Sequence, residues 1–300
     1  MRDELRAQWR HGGAVKRLLL VNIGVFLLVT LVGLAGWLFG RNDLDDRLLP
    51  YLMASGDPIW LLHRPWTVVT YMFTHQAVMH LFWNMLMFWF SGQLFQGLLG
   101  DKRLVGNYLL GGLSGFAFYL LGGFLPAHLG LASAYPILGA SAAVMAIFVG
   151  IATYQPNIEV NLFFLFTVRL KYVALVVVLL DLVGVRAGDN TGGHMAHLGG
   201  ALYGFLAAKQ LMQGRDWSGN FIEGLERIGD LIRGRKRARL KVAKGPARRT
   251  VRVVHDIDYN AAKRDKQERV DAILDKISRS GYDSLSKDER DFLFHASHEQ

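Results

Sequence analysis

The chain has 300 residues, is 51% hydrophobic, carries a formal charge of +9 and contains no cysteine. That excludes disulfides, thiolate catalysis and cysteine-ligated metals, and the bunching of the apolar residues with a positive mean hydropathy points to a membrane protein. The positive charge calls for no nucleic acid, because much of it sits in one run, RGRKRARLKVAKGPARR at 233–249, suited to the surface of an anionic leaflet.

Six segments, near 18–39, 78–98, 104–125, 137–153, 171–187 and 195–212, are long and apolar enough to cross a hydrocarbon core that takes about 20 helical residues. The expected fold is therefore an all-α polytopic membrane protein with six transmembrane helices, of which the fourth and fifth are short. Span one is expected to be retained: its apolar run is too long for a signal peptide, no A-x-A site follows it, and Asp3 and Glu4 argue against a transit sequence. Arg2, Arg6, Arg10, Lys16 and Arg17 precede span one, Lys102 and Arg103 separate spans two and three, and Arg169 and Lys171 precede span five. With the basic run after span six, these residues all fall on one side. Both termini are expected in the cytoplasm, and the expected location is a bacterial inner (cell) membrane.

Polar residues inside spans are costly in lipid unless they face a polar interior. Span two opens HLFWNMLMFWFSGQLFQGLLG, with His80 and Asn84 one turn apart on one face and Gln96 three turns beyond Asn84. Gly111 and Gly115 in span three form a small-residue packing face. Span four opens with Gly139 and Ser141. A lone serine in an apolar helix commonly bonds its own backbone, so a packing role is the first reading. Asp181, late in span five, is read as a capping or pairing residue near the outer surface, and NLFFLFTVRLK at 161–171 as an irregular or strand-like segment before that span. Span six opens HMAHLGGALYG, with His194 and His197.

Spans two, four and six run in the same direction, and Asn84, Ser141 and His197 each lie a few residues past the entry point, at similar depth on the non-cytoplasmic side. A hydroxyl, an imidazole and an amide donor are the parts of an acyl-transfer site. Depth alone leaves the packing and catalytic readings both open. Gly200 and Gly204, at i+3 and i+7 from His197, add a bare face on which span four, with its own small residues Gly139, Ala142, Ala143 and Ala146, can approach closely. The same stripe favours His197 over His194 as the base. His194, His197, His75 and His80 could supply imidazoles to zinc, but no span holds H-E-x-x-H, and neither metal nor cofactor is expected.

Three stretches in order, H-x-x-x-N at His80 to Asn84, G-x-S at Gly139 to Ser141 and H-x-x-G-x-x-x-G at His197 to Gly204, resemble the rhomboid intramembrane serine proteases, together with Trp66 and the Phe73-Thr74-His75 approach to span two. The resemblance covers roughly 60–210. It implies a six-helix bundle whose fourth helix starts below the membrane surface, reached by an inserted loop at Leu125 to Pro136 and open to a water-filled cavity on the non-cytoplasmic side. By position, Ser141 resembles the nucleophile and His197 the base, a dyad without an acidic third member. Asn84 and His80, with the Ser141 amide, resemble the oxyanion-stabilising group, and Gly139, Gly200 and Gly204 the supporting glycines. The implied function is hydrolysis of peptide bonds in or near transmembrane segments of membrane-protein substrates within the lipid bilayer; the alternative is a catalytically silent relative that binds transmembrane helices as a chaperone or scaffold. Ala142, Met145, Gln96 and Thr67 depart from the family pattern.

The expected organisation is a membrane domain over 1–213, a basic cytoplasmic linker over 214–262 and a small helical hairpin over 263–300. In the hairpin Val270, Ile273, Leu274 and Ile277 repeat at helical spacing, Gly281 ends that helix, and Ser286 with Glu289 forms a capping box before Phe292, Leu293 and Phe294. So small an apolar set is expected to dock on the membrane domain, on a second copy or on a protein partner.

Overall fold

The computed structural model describes residues 13–41, 43–124, 136–162, 166–187, 190–234 and 256–298. The chain divides into two units, Met1–Lys236 and Arg237–Gln300. In the first, six long helices follow the six apolar segments: α1 (Ala14–Leu38), α2 (Val78–Leu99), α3 (Asp101–Phe124), α4 (Ser141–Tyr154), α5 (Leu170–Ala187) and α6 (Thr191–Met212). A two-stranded antiparallel ribbon, β1 (Glu159–Leu162) and β2 (Phe166–Arg169), pairs Glu159 with Arg169 and Leu162 with Phe166 just before α5. The unit is mostly helical, and this ribbon is the strand-like segment expected near 161–171.

Helix α4 is the centre of the unit. Every residue from Ala142 to Ala152 is buried, and α6, α3, α2 and α5 all pack around it. Small residues allow this. A Cβ on Gly111 or Gly115 would collide with Ala146 or Ala142, and one on Gly200 or Gly204 would strike the backbone carbonyl of Ala142 or Ala146. The helices therefore meet backbone to backbone, as the glycine stripe on span six requires.

Among the described residues, length and composition alone single out two helices able to cross a membrane, Ala14–Leu38 and Asp101–Gly123, with Ser141–Tyr154 apolar but shorter. The six-span count does not follow from that measure. The reason lies in the other helices: α2 carries His80, Asn84, Gln93 and Gln96, α5 carries Lys171, Asp181 and Arg186, and α6 carries two histidines and Lys209. Of these, His80, Asn84, Asp181 and the two histidines of α6 recur at the candidate site.

The connection from α1 to α2 is clamped to the helices behind it. Ala54 and Ile137 exchange backbone hydrogen bonds of 3.0 and 2.7 Å. The Tyr71 hydroxyl donates to the Gly112 carbonyl at 2.6 Å, and the Tyr108 hydroxyl to the Met72 carbonyl at 2.7 Å. Asn22 of α1, fully buried, bonds the same Tyr108 hydroxyl at 3.0 Å. At the other end Gln96 accepts from the Val15 amide at 2.9 Å, satisfying one of the open donors of the first turn of α1.

Residues in the first part of the stretch read as linker form a further long helix, α7 (Trp217–Ile232), tied to the bundle by Arg103–Asp216 at 2.8 Å and Asn107–Ser218 at 2.8 Å. The basic segment 235–255 lies outside the described residues, as does 125–135, which holds nearly all of the expected inserted loop. The second unit contains α8 (Asp256–Ser280) and α9 (Lys287–His298). Gly281, at φ +79°, closes α8. The Ser286 hydroxyl accepts from the Glu289 amide at 3.3 Å while Glu289 accepts from the Ser286 amide at 2.7 Å, a reciprocal capping box. Ile273 and Leu285 are its buried apolar residues among those described.

Candidate active site

Helix α4 begins at Ser141, four residues later than the apolar run, because Pro136 to Gly139 are not helical. Two anchors hold that segment: Ile137 pairs with Ala54, and the Gly139 amide donates to the Tyr71 carbonyl at 2.9 Å. Gly139 sits at φ +122°, a conformation side chains disfavour. A Cβ there would also lie 2.7 Å from Cε1 and 2.8 Å from Nε2 of His80, so the imidazole of His80 rests against the bare backbone of Gly139. Ser141 Oγ is 3.8 Å from the same point. Ser141 is half-buried, in contrast to the buried run Ala142 to Ala152 that follows it, so a hydroxyl opens the N-terminus of a helix whose middle is enclosed.

Nearby donors are divided between structure and site. The Ala140 amide donates to His75 Nε2 at 3.3 Å, and the rings of His75 and His80 meet edge to face with centroids 5.1 Å apart. Asn84, buried one turn below His80, donates one amide hydrogen to the His80 carbonyl at 2.8 Å, which leaves its second Nδ2 hydrogen available. The amides of Ser141, Ala142 and Ala143 open α4 and have no intrahelical acceptor, and they stand at the positive end of the helix dipole.

His197 and His194 sit on the first turns of α6, parallel to α4. Gly200 lies against Ala142 and Gly204 against Ala146, so the residue one turn earlier on α6, His197, is level with Gly139 to Ser141. His194 lies nearly a turn higher, and its ring packs on α5, where a Cβ at Gly184 would lie 2.5 Å from Nε2. The structure thus sets His80 against Gly139 beside Ser141, with Asn84 one turn along α2 and His197 level with them on α6, while Gly200 and Gly204 line the contact farther down α4.

Asp181 completes the group. Its Oδ1 is 2.7 Å from His197 Nδ1 and 2.8 Å from His194 Nδ1, and the carboxylate is buried. It does pair, as read from the sequence, but its partners are the histidines of the site. An ionised carboxylate only accepts, so each Nδ1 carries the proton and each Nε2 is left as the basic nitrogen. An acid inside an apolar span was the available signal, and its partner lay sixteen positions ahead across a helix junction. The three ligand atoms lie within 4.8 Å of one another, a spacing that could also hold a metal ion, but the shared carboxylate already satisfies both imidazoles.

Three departures from the family pattern have a structural place. Ala142 sits with its methyl toward Gly115 and its carbonyl against Gly200. Thr67 is fully buried and its hydroxyl donates to the Arg64 carbonyl at 2.7 Å. Gln96 serves α1 as described above.

A family model described as Rhomboid domain matches residues 62–214. A second, described as a family of unknown function (DUF6576), matches 255–299. The chain is 33% identical over 137 residues to presenilin-associated rhomboid-like protein A, mitochondrial, of Danio rerio, covering 44% of this chain and 34% of that protein. It is 30% identical over 135 residues to the Homo sapiens presenilin-associated rhomboid-like protein, mitochondrial, with the same two coverages of 44% and 34%. Against RHOMBOID-like protein 12, mitochondrial, of Arabidopsis thaliana it is 29% identical over 233 residues, 70% of this chain and 64% of that protein. The match spans about a third of the length of the two animal relatives. All three are mitochondrial by name, and they lend no support to the bacterial inner membrane expected from the sequence.

Proposed function

The chain belongs to the rhomboid family, and on that premise we propose that it is an intramembrane serine endopeptidase with six membrane-crossing helices and with both termini on the side where Lys102, Arg103 and Lys209 lie. The observation that carries the reading is the half-exposed Ser141 at the head of a buried helix, level with a histidine whose Nδ1 is fixed by a carboxylate.

In this reading His197 Nε2 takes the Ser141 hydroxyl proton as Oγ attacks the scissile carbonyl of a transmembrane substrate. The oxyanion forms at the N-terminus of α4, where the Ser141 amide, the free Nδ2 hydrogen of Asn84 and the His80 ring supply donors. The proton on His197 passes to the leaving amine, and water, activated by the same nitrogen, then releases the acyl group from Ser141. Asp181 does not gain the proton; it holds the tautomer and stabilises the imidazolium, which makes it a positioning residue for the dyad. Residues 1–213 are the membrane domain of this account and 263–300 an accessory hairpin that binds a protein partner or another copy.

Reconstitution into proteoliposomes with membrane-anchored reporters tests the reading. Wild-type protein should cleave at least one reporter and Ser141→Ala should cleave none while melting at the wild-type temperature. Equal cleavage by both overturns the mechanism, and binding of reporters without cleavage by either overturns the protease in favour of a scaffold.

A further inference from the structure

Helix α7 leaves a large apolar surface uncovered. Trp217, Leu225, Ile228, Leu231 and Ile232 are all exposed, the last two at 80% and 82%. At about 100° per residue they fall, with Phe221, on roughly a third of the helix circumference, while Glu223, Glu226 and Asp230 occupy the opposite side and Arg227 flanks the apolar face. A segregated surface of this kind on a polar helix has to meet something apolar.

We infer that α7 lies in the interface of an anionic lipid leaflet, with its apolar face sunk toward the acyl chains. Placement is the first argument. Helix α6 ends at Met212, four residues before α7 begins, and α7 is pinned to the charged ends of the bundle by Asp216 to Arg103, by Ser218 to Asn107 and to Tyr203 at 2.9 Å, and by Glu226 to Lys102 at 3.0 Å. Gly106 lets the Ser218 backbone press directly on α3. Because α3 is one of the helices able to cross a membrane, a helix fastened to its first two turns runs at the level of the bilayer surface.

Charge is the second argument. Residues 233–249, which follow α7 directly, hold nine Lys and Arg and no acidic residue. A basic stretch beside an amphipathic helix complements phosphatidylglycerol-like or phosphatidylserine-like headgroups, and anchoring by the two together is stronger than by either alone. Trp217 at the start of the apolar face is the residue type enriched at that depth. This device is independent of the chemistry at Ser141.

The absence of native cysteine makes the test direct. Single-cysteine full-length proteins, Ile228→Cys and Arg227→Cys, are spin-labelled in nanodiscs of zwitterionic lipid with or without an anionic component. Collision with oxygen, which concentrates in lipid, and with a nickel chelate, which stays in water, gives the depth of each label. In anionic nanodiscs the label at 228 should be accessible to oxygen and several-fold less accessible to nickel than the label at 227, and its nickel accessibility should rise when the anionic lipid is left out. A label at 228 as open to nickel as that at 227, or shielded from both agents by protein, overturns the interfacial helix. Equal depth in the two lipid mixtures overturns the anionic partner.

Discussion

A methyl group on Gly200 would test the contact that sets the site. An added Cβ meets the carbonyl oxygen, carbon and Cα of Ala142, all backbone of the buried helix α4, so no side chain can swing away to make room. Relief requires α6 and α4 to part by a distance on the order of 1 Å, and a shift of that size can cost about 10²-fold in rate when it separates reacting groups. His197 is one turn from Gly200, and Ser141 precedes Ala142, so the gap opens at the dyad. Overpacking of a close-packed interior costs about 1–3 kcal/mol, partly offset by the gain of up to ~1 kcal/mol in helix propensity on replacing glycine with alanine. Activity should therefore fall further than stability. Gly200→Ala should lower reporter turnover about 10²-fold with a modest drop in melting temperature, and Gly200→Val, with two more carbons, should lose both. Gly24→Ala is the matched control, since nothing lies within 4 Å of its added Cβ, and it should leave turnover unchanged. The measurements are reporter cleavage in proteoliposomes and thermal unfolding of the same preparations. Wild-type turnover in Gly200→Ala would refute the close packing of α6 on α4 as the source of the geometry.

Three further outcomes follow from named contacts. His197→Ala should abolish cleavage and labelling by a serine-directed probe, whereas His194→Ala should keep labelling and reduce cleavage only in part; the opposite pattern would move the base to His194. Asp181→Asn keeps the shape but no longer fixes both Nδ1 protons, so turnover should fall by ~10²-fold or more with little change in substrate binding, and an unchanged pH–rate profile would remove Asp181 from the site. In the second unit, the Lys276 ammonium and then the Ser286 amide hold the Glu289 carboxyl below its ordinary value of 4.5. A lowered folded value means stabilisation that is present above 4.5 and lost as pH falls through the folded value, so hydrogen exchange of α9 in the full chain should accelerate over that window and Glu289→Gln should remove the dependence.

The helices were legible because each is written as an apolar run, and the glycines of span six foretold its contact with α4 because a missing side chain leaves a specific surface. What the sequence hid is non-local. The start of α4 at Ser141 depends on Ala54 and Tyr71, far back in the chain, which hold Ile137 and Gly139 outside the helix despite the apolar character of the segment. The bond from the Ala140 amide to His75 spans 65 positions. Asp181 reads as a capping or pairing residue, and its histidine partners stay hidden because they depend on the register of α5 against α6, which hydropathy does not encode. Helix α7 was taken into the linker because its charges are mixed along the chain and separate into faces only once the helix is formed. Ser141 is ambiguous by itself; the half-buried hydroxyl at the head of a buried helix is visible only in three dimensions.

The central claim, that Ser141 is a nucleophile activated by His197, is tested most directly by treating the purified protein with a fluorophosphonate and mapping the adduct by mass spectrometry. The account predicts a single covalent adduct on Ser141, absent from Ser141→Ala and from His197→Ala preparations that still fold. Modification at another residue, or an adduct on Ser141 that persists undiminished without His197, would contradict it.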